Sequence, residues 1–356
     1  MNASQLNDFL ALSRANPQYL APFSETLPDG GHIYVWDTGV ICIEPSTPAN
    51  KDVVLSCGIH GNETAPIELC ARLLSEIVSG RLSCQQRLLL IFGNPTAMNL
   101  GVREVEENLN RLFSGAHGLG TYGEEKTKEG NKAGSQNLER ERAAWLEHYV
   151  SRFYQTRAQD NVERLHYDLH TAIRPSKYQQ FAIYPFTHGR PYHKGQLAFL
   201  CNSGVDTILL AHGPTTTFSY FSAHQFGAHA FTVELGKVHP FGDNEASQVA
   251  ALEHNLTQLL QTPDWQPMPF DIARIRVFNV CQEIIKQSEQ FCFHFSDDVA
   301  NFSSFSPGTL LAEDNKQQWT VGNKEQAVIF PNANVALQQR AALMVERTEL
   351  KENMLY

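Results

Sequence analysis

Residues 53–59, Val-Val-Leu-Ser-Cys-Gly-Ile, form a nearly unbroken apolar run. A strand with one wet face alternates apolar and polar residues, so such a run predicts a strand buried on both faces, as in a parallel sheet covered by helices. The run ends at His60-Gly61-Asn62-Glu63, a turn-prone segment. Ile67, Cys70, Ala71, Leu74, Ile77 and Val78 then recur at helical spacing, with Pro66 suited to a first turn and Gly80 at the expected stop. A strand–turn–helix unit of this kind needs parallel partners, and the chain supplies candidates. Leu88–Phe92 is apolar and ends at Gly93-Asn94-Pro95, and short strand patterns occur at 164–169, 181–185, 206–211 and 230–235. Helical patterns cover 138–154 and 245–261. This alternation predicts an α/β fold with a mixed sheet flanked by helices.

The chain is 356 residues long, 42% hydrophobic and 19% charged, which is globular composition at a length where one core is near its limit. After Pro267-Met268-Pro269 the texture shifts to short β-like pieces at 275–280, 291–295, 318–321 and 327–330. The expected organisation is a catalytic domain over 1–265 and a smaller, mostly β domain over 266–356. No internal repeat is visible. Residues 114–137, rich in glycine and charge, predict a surface loop.

Lys and Arg number 28 against 38 Asp and Glu, a formal net charge of −10. That balance disfavours nucleic acid and anionic membranes as partners, since both need a basic footprint. No run approaches the length of a membrane-spanning helix, and the N-terminus lacks the apolar core of a signal peptide. The seven cysteines are irregularly spaced with no CxxC pair, which fits reduced thiols. A soluble cytoplasmic protein is expected.

Three strand ends carry chemistry. His60 and Glu63 stand at the carboxyl edge of the first buried strand, where ligands bind in open α/β sheets. A neutral imidazole nitrogen with a hard carboxylate suits Zn²⁺. In His166-Tyr167-Asp168-Leu169-His170, alternation puts Asp168 and His170 on one strand face. His170 would complete a His₂Glu set with an open position for water, oriented by Asp168, although a hydrogen-bonded histidine at a strand end fits the segment equally. Glu234 closes the apolar strand before Gly236-Lys237, either as a general base or as an edge carboxylate paired with Lys237. Arg103 and Arg111 are the only cations between Leu88 and Phe113. Their guanidinium forks suit a carboxylate or an oxyanion, although a mixed-charge run more often marks a solvated face.

Four strings, GIHGNETAPIE (58–68), GNPTAMNLGVREVEENLNRLFSG (93–115), HYDLHTAIRPSKY (166–178) and FTVELGKVHPFG (231–242), together resemble the succinylglutamate desuccinylases. These form part of the aspartoacylase branch of the zinc-carboxypeptidase-like superfamily. The resemblance spans most of 58–242 and occurs in family order. It implies one Zn²⁺ per chain on His60, Glu63 and His170, with Glu234 as the catalytic carboxylate. By the same resemblance Arg103 polarises the scissile carbonyl, and Asn110 with Arg111 holds a substrate carboxylate. It also implies a C-terminal β domain beside a zinc-carboxypeptidase-like sheet. The expected activity is zinc-dependent hydrolysis of N-succinyl-L-glutamate to succinate and L-glutamate, the last step of arginine catabolism by the succinyl route. Arg174 and Lys177 are weaker candidates for a second substrate carboxylate.

Two other readings stand beside it: a deacylase for another N-acyl amino acid, and a non-catalytic zinc or carboxylate binder. The partner expected is a small anionic substrate, and a homo-oligomer is compatible with every reading. The string Gly118–Gly123 fits GxGxxG but follows no apolar strand and opens no helix, so it fails as a dinucleotide site. Neither GxSxG nor GxxxxGK[ST] occurs.

Overall fold

The computed structural model describes residues 6–118, 137–157 and 161–356, which fall into two units. The predicted 114–137 loop and the Gly118–Gly123 string lie, from 119 onward, largely outside the described residues.

The first unit takes the chain up to His170, then 215–232 and 239–266. It opens with α1 (Phe9–Ala15), β1 (Phe23–Thr26), β2 (His32–Asp37) and β3 (Val40–Glu44). The predicted strand–turn–helix follows as β4 (Lys51–Cys57) and α2 (Thr64–Val78), with Gly80 at φ +76° just beyond the helix. Next come β5 (Arg87–Phe92), α3 (Pro95–Leu100), α4 (Leu138–Gln155) and β6 (Glu163–Ala172). The strands pair in the order β1-β2-β3-β5-β4-β6. β1, β2, β3 and β5 are antiparallel neighbours, whereas β5, β4 and β6 are parallel. Every residue of β4 and β5 is buried, as the largely apolar runs at their centres require.

Beyond β6 lie β7 (Gln180–Tyr184), α5 (Lys194–Asn202) and β8 (Thr207–Leu210), then α6 (Phe218–Phe226), β9 (His229–Lys237) and α7 (Ala246–Gln261). Val40, Val54 and Ile91 pack with Leu146 and Phe153 of α4 and Phe221 of α6. The apolar face that 138–154 predicts is thus the one that α4 buries. The N-terminal hairpins escaped the sequence patterns because β1 and β2 alternate with exposed residues and are short. Among the described residues no helix is long and apolar enough to cross a membrane.

The second unit gathers 171–214, 233–238 and 267–356. β9 crosses the division, its residues from Val233 onward grouping with this unit. β7 and β8 are parallel, and β8 runs parallel to β10 (Arg276–Ile285). The remaining strands are β11 (Cys292–Phe293), β12 (Ser303–Phe305), β13 (Leu310–Asp314), β14 (Gln317–Thr320), β15 (Gln326–Ile329) and β16 (Arg340–Thr348). β10, β16, β15 and β12 are joined antiparallel in that order, and β11, β13 and β14 form a separate small sheet. This is the mostly β texture expected after residue 266. Its core includes Ile284, Leu311, Trp319, Val328 and Met344.

The amino ends of β4 and β5 hold a buried charge cluster. Asp52 pairs with Arg87 in register, and their side chains meet at 3.1 Å. Arg87 also reaches Glu44 at 2.7 Å and lies 4.5 Å from the ring centre of Phe153. Burial pushes the Asp52 carboxyl above its usual range, against the pull of the Arg87 guanidinium. Removing one partner of a buried pair strands the other, a loss of about 3–5 kcal/mol. Arg87→Met is therefore expected to lower the urea midpoint markedly. Arg81→Met, which breaks the exposed pair with Glu76, should leave it unchanged. Equal midpoints for the two variants would refute this account.

Candidate metal centre

The parallel strands β4 and β6 deliver their carboxyl ends side by side, with Cys57 opposite Leu169. Past Cys57 the chain turns through Gly58 at φ +62°, and Gly61 lies so close to α3 that a Cβ there would stand 2.2 Å from Ala97 C. Both glycines are therefore structurally required, one for its conformation and one for the approach. The turn places His60 beside Glu63, which stands at the N-cap position of α2 with its carboxylate turned to the site rather than to the helix. His60 Nδ1 lies 2.8 Å from Glu63 Oε1, and His170 Nδ1 lies 2.9 Å from Glu63 Oε2. All three side chains are buried, and one ligand atom from each lies within 4.8 Å of the others.

The outer nitrogens of both rings are also engaged. His60 Nε2 meets Asn108 Oδ1 at 3.0 Å, and His170 Nε2 meets Asp168 Oδ2 at 2.8 Å. Each imidazole thus faces an acceptor on both sides, while a neutral ring carries a single N–H. Burial and the Arg103 guanidinium push His60 down to about 4, so near neutral pH it cannot supply two protons. For His170 burial works the same way, but the carboxylates of Asp168 and Glu63 outweigh it and raise its pKa. Burial opposes charge on Glu63 too, yet the two histidines hold its carboxyl well below the usual range. A divalent cation held by His60, Glu63 and His170 would take up the inward-facing lone pairs and leave one N–H on each ring for its outer acceptor. Two imidazole nitrogens and one carboxylate with oriented outer partners fit Zn²⁺.

A second grouping, Cys292, His294 and Glu313, has the right atom types but lies open on the small sheet. There Glu313 is engaged by His294 and Gln318, with no buried outer shell.

Arg103 donates from Nη1 to Glu63 Oε1 at 2.6 Å. Its segment is not a plain solvated face. The buried Glu139 carboxylate of α4 accepts Val105 N at 2.7 Å and Glu106 N at 3.2 Å, and Arg140 grips Glu107 at 2.7 Å. Asn110 is buried, its Oδ1 accepting Phe218 N at 2.9 Å and its Nδ2 lying 3.4 Å from His170 Nε2. Arg111 is exposed and donates to Asn110 O at 2.8 Å. Glu234 is buried on β9, two residues beyond Thr232 and hence on the same strand face, in the stretch that belongs to the second unit. Arg174 and Lys177 belong to that unit as well.

The structure therefore brings together His60, Glu63, His170, Arg103 and Asn110, with Arg111 next in the chain. The sequence patterns did not single out Asn108, Ser56, His166 or Glu139. Ser56 and His166 had a signal: a hydroxyl inside an apolar run, and a histidine in alternation with Asp168 and His170. Asn108 and Glu139 had none, because their partners are distant in the chain.

Residues 49–260 match the model of the succinylglutamate desuccinylase/aspartoacylase catalytic domain, and 273–348 match the AstE/AspA barrel-sandwich hybrid domain. The succinylglutamate desuccinylase of Idiomarina loihiensis is 49% identical over 342 residues, 96% of each chain. That of Shewanella piezotolerans is 45% identical over 347 residues, 97% of each. Among solved structures, the succinylglutamate desuccinylase from Chromobacterium violaceum superposes with a TM-score of 0.82 at 34% identity, covering 97% of this chain and 98% of that one. The Vibrio parahaemolyticus structure gives 0.79 at 34% identity, covering 96% and 95%.

Purified protein is expected to hold zinc by elemental analysis, and His60→Ala to lose it. Asn108→Ala should weaken zinc binding on the order of 10-fold, as loss of an outer partner does. Full occupancy in His60→Ala overturns the ligand assignment.

Proposed function

The chain belongs to the succinylglutamate desuccinylase/aspartoacylase family, and from that premise we propose that it hydrolyses N-succinyl-L-glutamate to succinate and L-glutamate. The closing step of arginine catabolism by the succinyl route is the place this assigns it. The observation that carries the proposal is the convergence of His60, Glu63 and His170 in a chain alike over almost its whole length to enzymes of that name.

His60, Glu63 and His170 would hold one Zn²⁺. When bound, the ion supplies Lewis acidity toward the scissile carbonyl and brings the pKa of a water toward neutrality. Glu234 takes a proton from the attacking water as its oxygen adds to the succinyl carbonyl. As the C–N bond breaks, Glu234 returns that proton to the departing amine of glutamate, so the carboxylate ends unchanged. Arg103, whose guanidinium is anchored at the Glu63 carboxylate, offers its other N–H groups to the charge growing on the carbonyl oxygen. One such preorganised donor contributes about 3 kcal/mol. Asn110 and Arg111 hold a substrate carboxylate, and the bond from Arg111 Nη1 to the Asn110 carbonyl ties the guanidinium to its neighbour's backbone.

Turnover of N-succinyl-L-glutamate should vanish with a chelator and return with zinc. Glu234→Gln should keep its zinc and lose about 10²- to 10⁴-fold in kcat, the span of general-base contributions. Near wild-type turnover in that variant removes Glu234 from the role. Faster hydrolysis of N-acetylaspartate or N-acetylglutamate than of the succinyl compound would instead place the substrate elsewhere in the family.

Arg111→Met should raise KM for the succinyl substrate about 10- to 100-fold, as loss of a charged hydrogen bond worth about 1.5–3 kcal/mol does. An unchanged KM would separate Arg111 from the substrate.

A further inference from the structure

From His170 a hydrogen-bonded line runs into the body of the first unit. His170 Nε2 meets Asp168 Oδ2 at 2.8 Å, and Ser56 Oγ donates to the other oxygen, Asp168 Oδ1, at 2.6 Å. Ser56 Oγ lies 2.8 Å from His166 Nε2, and His166 Nδ1 lies 2.7 Å from Ser222 Oγ. Asp168, Ser56, His166 and Ser222 are all 0% exposed. They come from β6, β4 and α6, so the line stitches three elements of one unit at the level of the metal ligands.

Proton accounting gives the line a direction. Ser56 has one proton, and it goes to Asp168. Its oxygen must then accept from His166, which fixes the proton of that ring on Nε2. His166 Nδ1 is left as a lone pair and accepts the Ser222 hydroxyl proton. Every donor therefore points toward Asp168. The reverse orientation would turn the Ser56 proton toward His166 and leave Asp168 Oδ1 buried without it, at the cost of an unsatisfied charged group. Phe218 meets the His166 ring edge-on, centroids 4.8 Å apart at 88°, and so restricts ring rotation.

We propose that His166, acting through Ser56, is a positioning residue of the metal centre. The line from Ser222 fixes the Asp168 carboxylate, and Asp168 in turn holds the His170 ring with Nδ1 aimed inward. The inference rests on the zinc reading of the site and does not depend on which acyl amino acid is cleaved. Partners beyond the first ligands tune metal affinity by roughly 10- to 100-fold.

The test measures zinc transfer from the loaded protein to a chromophoric chelator, with folding followed by circular dichroism. Ser56→Ala and His166→Leu should each release zinc on the order of 10-fold faster than the wild type. His166→Gln keeps a donor toward Ser56 and should stay within about threefold of it. The double variant Ser56→Ala/His166→Leu should release zinc no faster than the quicker single variant, because a line broken once is already broken. If His166→Leu does not fold, Ser56→Ala, which removes one hydroxyl, decides alone. Wild-type release rates in the single variants overturn the proposal. So does a double variant whose effect is the product of the two. A wild-type chain that takes up no zinc overturns the metal centre itself, whereas one that holds zinc but prefers another acyl amino acid overturns only the substrate assignment.

Discussion

The Glu63 carboxylate is the contact on which the site depends. It is 1% exposed, lies 2.8 Å from His60 Nδ1 and 2.9 Å from His170 Nδ1, and accepts from Arg103 Nη1 at 2.6 Å. An isolated carboxylate at such depth is costly by several kcal/mol, so the position demands cationic or metal partners. Standing at the start of α2, it also lies in the positive end of the helix field.

That geometry is set by the backbone. β4 and β6 are parallel neighbours, and His60 and His170 stand three residues and one residue past the Cys57–Leu169 pair. The Gly61–Ala97 approach fixes where the turn can lie, and Glu139 pins the strand of chain that carries Arg103. The polar residues of the β6 inner face, His166, Asp168 and His170, are tolerated inside an apolar sheet because the hydrogen bonds described above satisfy them.

A net charge of −10 sits beside a proposed substrate that carries three carboxylates. Net charge describes the whole surface, whereas binding is decided by the local field. Several acids are already committed to internal cations, as Glu44 and Asp52 are to Arg87. Near the candidate centre the chain supplies Arg103 and Arg111, and a bound divalent ion would add to them. The acidic balance is consistent with a small anion and speaks only against large anionic surfaces.

Much of this was legible along the chain. The apolar runs at β4 and β5 and the helical spacing of α2 and α4 are local patterns, as is the alternation in His166–His170, and each survives in the structure at nearly the expected boundaries. The metal-ligand types and the four family strings are local too. What a chain pattern does not contain is which distant residues meet. That Nδ1 of each histidine turns inward follows from Asn108 and Asp168 behind the rings, and the first of these is 48 residues from His60. The grouping of 171–214 and 233–238 with the C-terminal segment is likewise a matter of contacts rather than texture. Sequence determined the β4–α2 unit, β5 and α4, the candidate ligand types and the family, because periodicity and side-chain type are properties of neighbours in the chain. Tertiary structure decided ring orientation, the direction of the Ser222–His166–Ser56–Asp168 line and the burial of Glu63, because hydrogen-bond geometry and desolvation exist only between residues that folding brings together.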